Sequence, residues 1–326
     1  MSDLVLAVPS KGRLQEQALE FFTRSGLKID RARGGRDYRG AVGGLEGVEV
    51  VFLSASEIAR ELAAGNAHMG LTGLDLVHET LDDPHERATR VHLVAPLGFG
   101  PADVVVAVPS RWIDVDTMAD LADAAEMHRV RHGRTLRVAT KFVNLTRRHF
   151  AAAGCADYRI VESLGATEGA PAAGTADLVV DITTTGATLA ANQLKILSDG
   201  VILSSQATVV ASRVASWSCR ASALATTIAD RIAAEMRAQA VLELRAILPD
   251  PATAAACAAE RYGAVAPFGA APAPLTLHVP RRRASECAAY LRSCGAAAVV
   301  IVQVADVYED NELTDALLAA LPPTRD

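Results

Sequence analysis

The chain has 326 residues, half of them apolar, and a formal net charge of −6 with no long basic run. That size allows about two to three domains with ordinary cores, and the charge excludes nucleic-acid binding as the main business while leaving room for a local cationic pocket. Five scattered cysteines without a CxxC pair, no signal-like start and no apolar run of membrane-spanning length lead to the expectation of a reduced, cytoplasmic protein without disulfides, structural zinc or membrane contact.

Taken in chain order, residues 4–8 are β-rich and end in Pro9-Ser10-Lys11-Gly12, after which Leu14, Ala18, Leu19 and Phe22 recur at helical spacing. A strand is predicted over 48–53. A helix follows over 54–64, with Ser54 and Glu57 in capping-box spacing. Residues 67–73 form a short strand running into a turn, and 75–80 continue helically. A second unit has strands over 103–108 and 137–140, a helix over 144–153 and a strongly apolar strand over 176–182. A helix over 188–194 and one strand over 201–211 complete it. Strands alternating with helices indicate layered α/β units with largely parallel sheets. Two such units joined by two crossings place a cleft between them.

From about residue 222 the composition changes to an Ala-rich helix over 223–239 and a strand over 241–248. A weak internal repeat follows. Each copy is a strand ending in proline (Pro249, Pro280), then a helix (252–261, 284–293) and a Gly-Ala turn. Two β-α-β units of this size indicate a ferredoxin-like module, for which regulatory or oligomerising use is the natural expectation and a plain packing appendage the competing one.

The most informative segment is Asp181-Ile182-Thr183-Thr184-Thr185-Gly186-Ala187-Thr188, which lies between an apolar strand and a helix. The strand delivers Asp181 to a sheet edge, where ligands bind in open α/β sheets. Gly186 permits a tight turn and close approach of a phosphate. Backbone N–H groups, the hydroxyls of Thr183, Thr184, Thr185 and Thr188, and the following helix start favour an anion. Asp181 can accept from ribose hydroxyls, directly or through Mg²⁺. The competing reading is an ordinary threonine-rich turn with local capping.

With Val180 before it, this run resembles the phosphoribosyl-diphosphate loop of phosphoribosyltransferases. Members of the purine-salvage type carry two adjacent acids there, whereas here only Asp181 is acidic. The longer stretch from Gly165-Ala166-Thr167-Glu168-Gly169-Ala170-Pro171 to Asn192 is similar to ATP phosphoribosyltransferase, the first enzyme of histidine biosynthesis. So are Pro9-Ser10-Lys11-Gly12-Arg13-Leu14, Gly70-Leu71-Thr72-Gly73-Leu74-Asp75 and Val138-Ala139-Thr140. The likeness runs in order over about residues 4–213 and more faintly through the repeat module, which resembles the regulatory domain of the family's long form.

The resemblance implies two α/β lobes like a periplasmic binding protein plus a C-terminal ferredoxin-like α+β domain. Residues 1–95 and 183–218 would form lobe I, 96–182 lobe II, and 222–326 the regulatory or oligomerisation domain. It implies transfer of the phosphoribosyl group to N1 of ATP with release of pyrophosphate, Mg²⁺ as cofactor, histidine as inhibitor, and a homo-oligomer, dimer or hexamer. A separate regulatory subunit is compatible with the sequence but not required by it. Asp181, Thr183, Thr184, Thr185, Gly186, Ala187 and Thr188 would hold phosphoribosyl diphosphate. Lys11 and Arg13, around Gly12, would be cations for pyrophosphate or ATP phosphates and, with Asp181, the catalytic set; taken alone they read as solvated loop charges. Glu168 would order Mg²⁺ or satisfy a helix start. Arg36 and Arg39 in a basic loop are candidates for the ATP triphosphate, against a solvated hairpin. Thr72, Gly73 and Asp75 would line the cleft from lobe I, with Asp75 equally a plain helix-start acid.

His68 stands where the family usually has an acid. His128 and His132, four apart, read as a surface pair rather than metal ligands. The competing function is a non-catalytic bilobal small-molecule-binding or sensor protein, which would have no need of the acid-plus-Thr/Gly loop.

Overall fold

A computed structural model of the chain describes residues 3–31, 38–163, 165–271 and 273–324. It opens on β1 (Leu4–Pro9), an apolar run of the kind that is covered on both faces of a parallel sheet. Then come α1 (Gly12–Arg24), β2 (Ile29–Arg31), β3 (Arg39–Val42), β4 (Val48–Leu53), α2 (Ala55–Ala64), β5 (Met69–Gly73), α3 (Leu74–Thr80), α4 (Pro84–Arg90) and β6 (Val91–Pro96). β1 pairs in parallel with β4 and β5, and β2 and β3 add an antiparallel pair at the edge. α2 begins with the capping box read from the sequence: the Ser54 hydroxyl accepts from the Glu57 N–H, and the Glu57 carboxylate accepts from the Ser54 N–H.

The chain crosses to a second sheet with β7 (Ala102–Pro109), α5 (Met118–His132), β8 (Leu136–Thr140), α6 (Val143–Ala152), β9 (Tyr158–Glu162), a 3₁₀ turn (Thr167–Gly169), β10 (Leu178–Thr183), α7 (Ala187–Ala191) and β11 (Leu194–Ser205). Its strand order is β11-β7-β10-β8-β9. β12 (Ala207–Ser212) returns to the first sheet between β5 and β6, antiparallel to both.

This return corrects the sequence reading. The strand expected over 201–211 is two strands in two different sheets, divided at Gln206. Ser204, Ser205 and Gln206 interrupt the apolar residues at the crossing, but so short a polar run does not tell that the chain changes sheets. The lobe boundary moves with it: residues 183–205 belong to lobe II, not lobe I, because β11 pairs with β7. Gln206 pins the crossing, since its side-chain carbonyl accepts from the Gly98 N–H and its backbone carbonyl from the Leu74 N–H.

The last third starts with α8 (Cys219–Ala240), capped by the Ser218 hydroxyl on the Ala221 N–H. Its stripe Ala221, Ala225, Ile228, Ala229 and Ile232 has helical spacing and is buried in the core of lobe I, not in a separate domain. β13 (Val241–Ala246), α9 (Pro251–Tyr262), β14 (Leu275–Pro280), α10 (Ala284–Ser293) and β15 (Val299–Val302) form the third unit with its own core. The order is β14-β13-β15, all antiparallel, and Val265 bridges to His278 on the far side of β14. This is the ferredoxin-like arrangement with one strand reduced to a single bridge. The tail returns as α11 (Glu312–Ala320), whose Leu317 is buried in the lobe I core. The domain expected over 222–326 therefore loses both ends to lobe I, because their apolar stripes complete that core.

Five of the eight histidines, His68, His78, His92, His128 and His149, are held below the ordinary histidine range, chiefly because burial penalises the charged ring. His78 is pushed down to about 4, with Arg87 and Arg148 adding to the effect of burial. Between the ordinary value and that one, the unfolded chain binds protons that the folded chain does not. Stability therefore falls as pH falls through this window. Glu79 and Asp181, raised by burial, act in the opposite sense. The thermal midpoint is expected to drop between about pH 7.5 and pH 5, and His78→Gln should flatten the drop in parallel melts. An unchanged slope would remove His78 as a cause.

Candidate active site

The C-terminal ends of β5 and β10 face each other across the two crossings, which is where an open α/β architecture presents its ligand site. In lobe II, Asp181, Ile182, Thr183, Thr184, Thr185, Thr188 and Leu189 line a cavity of about 360 Å³ together with Glu168 and Ala102. Gly186 starts α7 with φ +73°, a left-handed conformation that glycine takes without strain. Its N–H donates to the Thr183 hydroxyl at 2.8 Å, and the Ala187 N–H to the Thr185 hydroxyl at 3.4 Å. The Thr184 hydroxyl donates to the Pro101 carbonyl at 3.2 Å, tying the loop to the first crossing. α7 has five residues, Ala187–Ala191, and is shorter than the helix expected over 188–194, so its dipole contributes little. Hydroxyls and backbone N–H groups are the polar donors of this loop.

Burial raises Asp181 above the ordinary carboxyl range. The Ile182 N–H, bound at 2.8 Å, and the Lys141 ammonium act against this, and the nearby Glu168 carboxylate adds to it. Two acids thus share one cavity.

A second cavity of about 300 Å³ lies between the lobes. Arg13, Leu14, Gln17, Gly73, Asp75, Leu76 and Ala207 form its lobe I side, and Gly100, Pro101, Ala102, Ile182, Thr184 and Ser205 the crossing and lobe II side. The buried Asp75 accepts from the Ser205 hydroxyl at 2.7 Å, and its own N–H donates back to that oxygen at 2.9 Å. A β-carbon added at Gly73 would collide with the Asp75 carboxylate, so a larger residue there would have to displace that side chain. The two cavities share Ala102, Ile182 and Thr184.

Of the residues singled out from sequence, Asp181, Thr183, Thr184, Thr185, Thr188 and Glu168 come together at one cavity, with Gly186 and Ala187 shaping its loop. Arg13, Gly73 and Asp75 come together at the other. Asp75 is more than a helix-start acid, since it ties lobe I to Ser205 at the second crossing. Lys11 precedes and Gly12 begins the helix that carries Arg13, and neither lines either cavity. Thr72 is corrected: it is fully buried and its hydroxyl donates to the Ala55 carbonyl at 2.7 Å, which leaves nothing for the cleft. Arg39 lines neither cavity: it lies on β3, between β2 and β4, and pairs with Glu49 at 2.6 Å. Arg36 lies outside the described residues.

His68 is at the opposite end of β5 from Gly73. Its Nδ1 accepts from the Val5 N–H, and its Nε2 bonds the Ser216 carbonyl. The departure from the family pattern is therefore a packing matter, remote from the cleft. His128 and His132 stack at 4.6 Å between ring centres, and among the described residues no group of three or more His, Cys, Asp or Glu side chains could hold a metal. Sequence reasoning missed Gln17, Ser205 and Lys141, whose residue types carry no local motif.

The family model HisG: ATP phosphoribosyltransferase matches residues 54–234. A protein of Afipia carboxidovorans named ATP phosphoribosyltransferase is 55% identical over 321 residues, 97% of this chain and 98% of its own length. One of Nitrobacter winogradskyi with the same name is 53% identical over 320 residues, again 97% and 98%. Among solved structures, the ATP phosphoribosyl transferase (HisG:HisZ) complex from Thermotoga maritima matches with TM-score 0.54 and 26% identity, covering 70% of this chain and 95% of that one. No helix among the described residues is long and apolar enough to cross a membrane. A family match over more than half of the chain, relatives above half identity along nearly all of it, and an acid-and-threonine loop at an interlobe cleft make this chain a member of the ATP phosphoribosyltransferase family.

Proposed function

We propose that the cavity around residues 181–188 holds phosphoribosyl diphosphate and that ATP enters the adjoining interlobe cavity. The transfer of the phosphoribosyl group to ATP is the family's reaction. The observation that carries the site assignment is the wall common to the two cavities, Ala102, Ile182 and Thr184. Two ligands seated on either side of it would present the ribose C1 and adenine N1 to each other. Attack of N1 on C1 forms the new C–N bond as the C1–O bond to pyrophosphate breaks. Both changes pass through one electron-poor centre, so positioning and charge neutralisation do the work.

In this reading the 181–188 loop binds the 5′-phosphate through N–H groups and hydroxyls, and the Asp181 carboxylate accepts from the ribose hydroxyls. Arg13, the one guanidinium lining the interlobe cavity among the described residues, meets phosphate oxygens of ATP or the departing pyrophosphate. Asp181 and Glu168 are hard oxygen donors on one cavity, the donor type Mg²⁺ takes, with remaining positions left to substrate oxygens and water. When bound, such a cation neutralises the leaving diphosphate. A coupled pyrophosphate-release assay with ATP, phosphoribosyl diphosphate and Mg²⁺ tests the reading. Turnover is expected, with Thr185→Val raising the KM for phosphoribosyl diphosphate about tenfold or more. An unchanged KM would move that substrate elsewhere.

The C-terminal module is proposed to serve regulation and assembly, with histidine as the inhibitor and a homo-oligomer as the working state. In support, it has a core of its own, and its edge strand β15 exposes Val300 and Ile301. Inhibition assays with histidine and light scattering of the purified chain test the two parts. An insensitive enzyme or a monomer would refute them respectively.

A further inference from the structure

Among the described residues, two acids and several hydroxyls but no Lys or Arg line the cavity assigned to the diphosphate substrate. A ligand carrying several phosphate charges needs a protein cation nearby. β8 runs parallel to β10 with Val138 opposite Leu178 and Ala139 opposite Val179. Continuing that register brings Lys141, directly after β8, level with Asp181. The Lys141 ammonium acts on the Asp181 carboxylate, rests 4.8 Å from the centre of the Phe142 ring, and has no ion-pair partner among the described residues.

The turn carrying Lys141 is clamped from both sides. The Thr140 hydroxyl accepts from the Phe142 N–H at 2.8 Å. α6, which starts two residues beyond Lys141, has neither a side-chain cap nor an acid in its first turn. Glu79 supplies both from α3, on the other lobe. Its carboxylate accepts from the Asn144 N–H at 2.9 Å and the Leu145 N–H at 3.0 Å, and its backbone carbonyl accepts from the Asn144 side-chain amide at 2.9 Å. This carboxylate takes the place of a cap that α6 does not encode locally.

We propose that Lys141 is a further substrate-binding residue, contacting a phosphate of phosphoribosyl diphosphate, and that Glu79 is its positioning residue, fixing the Lys141 turn from the opposite lobe. The inference rests on the assignment of the 181–188 cavity to that substrate.

Steady-state kinetics of the full-length protein test it, with phosphoribosyl diphosphate varied at saturating ATP. Lys141→Met is expected to raise the KM for phosphoribosyl diphosphate about tenfold to a hundredfold, the scale of a lost charged hydrogen bond. The KM for ATP and the thermal midpoint should stay near wild type, since the side chain is exposed. Lys141→Arg should recover most of the loss. Glu79→Gln should raise the same KM about fivefold in the wild-type background and leave it unmoved in the Lys141→Met background, as coupled residues require. A change under about twofold in Lys141→Met would overturn the substrate role. Equal effects of Glu79→Gln in both backgrounds would overturn the positioning role. Thr185→Val run alongside separates the two levels: if it also leaves the KM unchanged, the cavity assignment has failed, and if it alone raises the KM, only the present inference has.

Discussion

Asp181→Asn is expected to lower kcat/KM for phosphoribosyl diphosphate by about 10²–10³-fold while raising the thermal midpoint of the ligand-free protein. The two effects share one cause. Burial and the neighbouring Glu168 disfavour the Asp181 charge, so its carboxyl titrates above its ordinary value. Between those two values the folded chain binds more protons than the unfolded one, so stability falls as pH rises through the window and the ionised acid is a burden at neutral pH. Asparagine has the same shape without the charge. It keeps an acceptor for the Ile182 N–H, now held at 2.8 Å, but cannot serve as an anion toward ribose or a cation. A fall in activity together with a fall in the midpoint would mean that Asp181 acts in folding, and near-wild-type kcat/KM would end its catalytic assignment. Differential scanning calorimetry beside the pyrophosphate assay reads both.

The second large effect concerns the frame that holds the site. Trp217→Ala is expected to cost about 3–5 kcal/mol, the range for emptying a buried aromatic position. The ring is 1% exposed, its Nε1–H donates to the Ser212 carbonyl at 2.9 Å, and it meets the His68 ring edge-on at 5.0 Å. It sits just ahead of α8, where the chain leaves β12. Truncation opens a cavity and leaves the buried Ser212 carbonyl without this donor. Chemical denaturation should show the midpoint moving with little change in slope. Trp217→Phe should cost less, because most of the volume stays. A loss below about 1 kcal/mol for the alanine variant would show that the lobe I core relaxes around the hole.

The shape of the 181–188 loop was legible because its parts are contiguous. Strand, acid, hydroxyls, glycine and helix follow one another within residues 176–191, and local backbone geometry converts that order directly into a cradle. The same holds for the Ser54–Glu57 capping box and the apolar stripe of α8, which are short-range patterns with fixed periods. Residues whose roles depend on distant partners were not legible. Ser205 meets Asp75 across 130 positions and Glu79 meets Asn144 across 65, so neither Ser205 nor Glu79 shows a motif of its own. Thr72 and Asp75 lie three apart in one apparent motif, yet one is spent on Ala55 and the other holds the cleft.

Periodicity records which face of an element is apolar but not which sheet or core receives it. Local order in the sequence by itself therefore determined the alternating α/β layers, the C-terminal repeat and the 181–188 loop. Tertiary burial alone decided that β11 and β12 part at Gln206 into different lobes, that α8 and α11 complete the lobe I core, and that Lys141 stands beside Asp181. An apolar stripe is satisfied by any complementary surface, and only the assembled fold selects one.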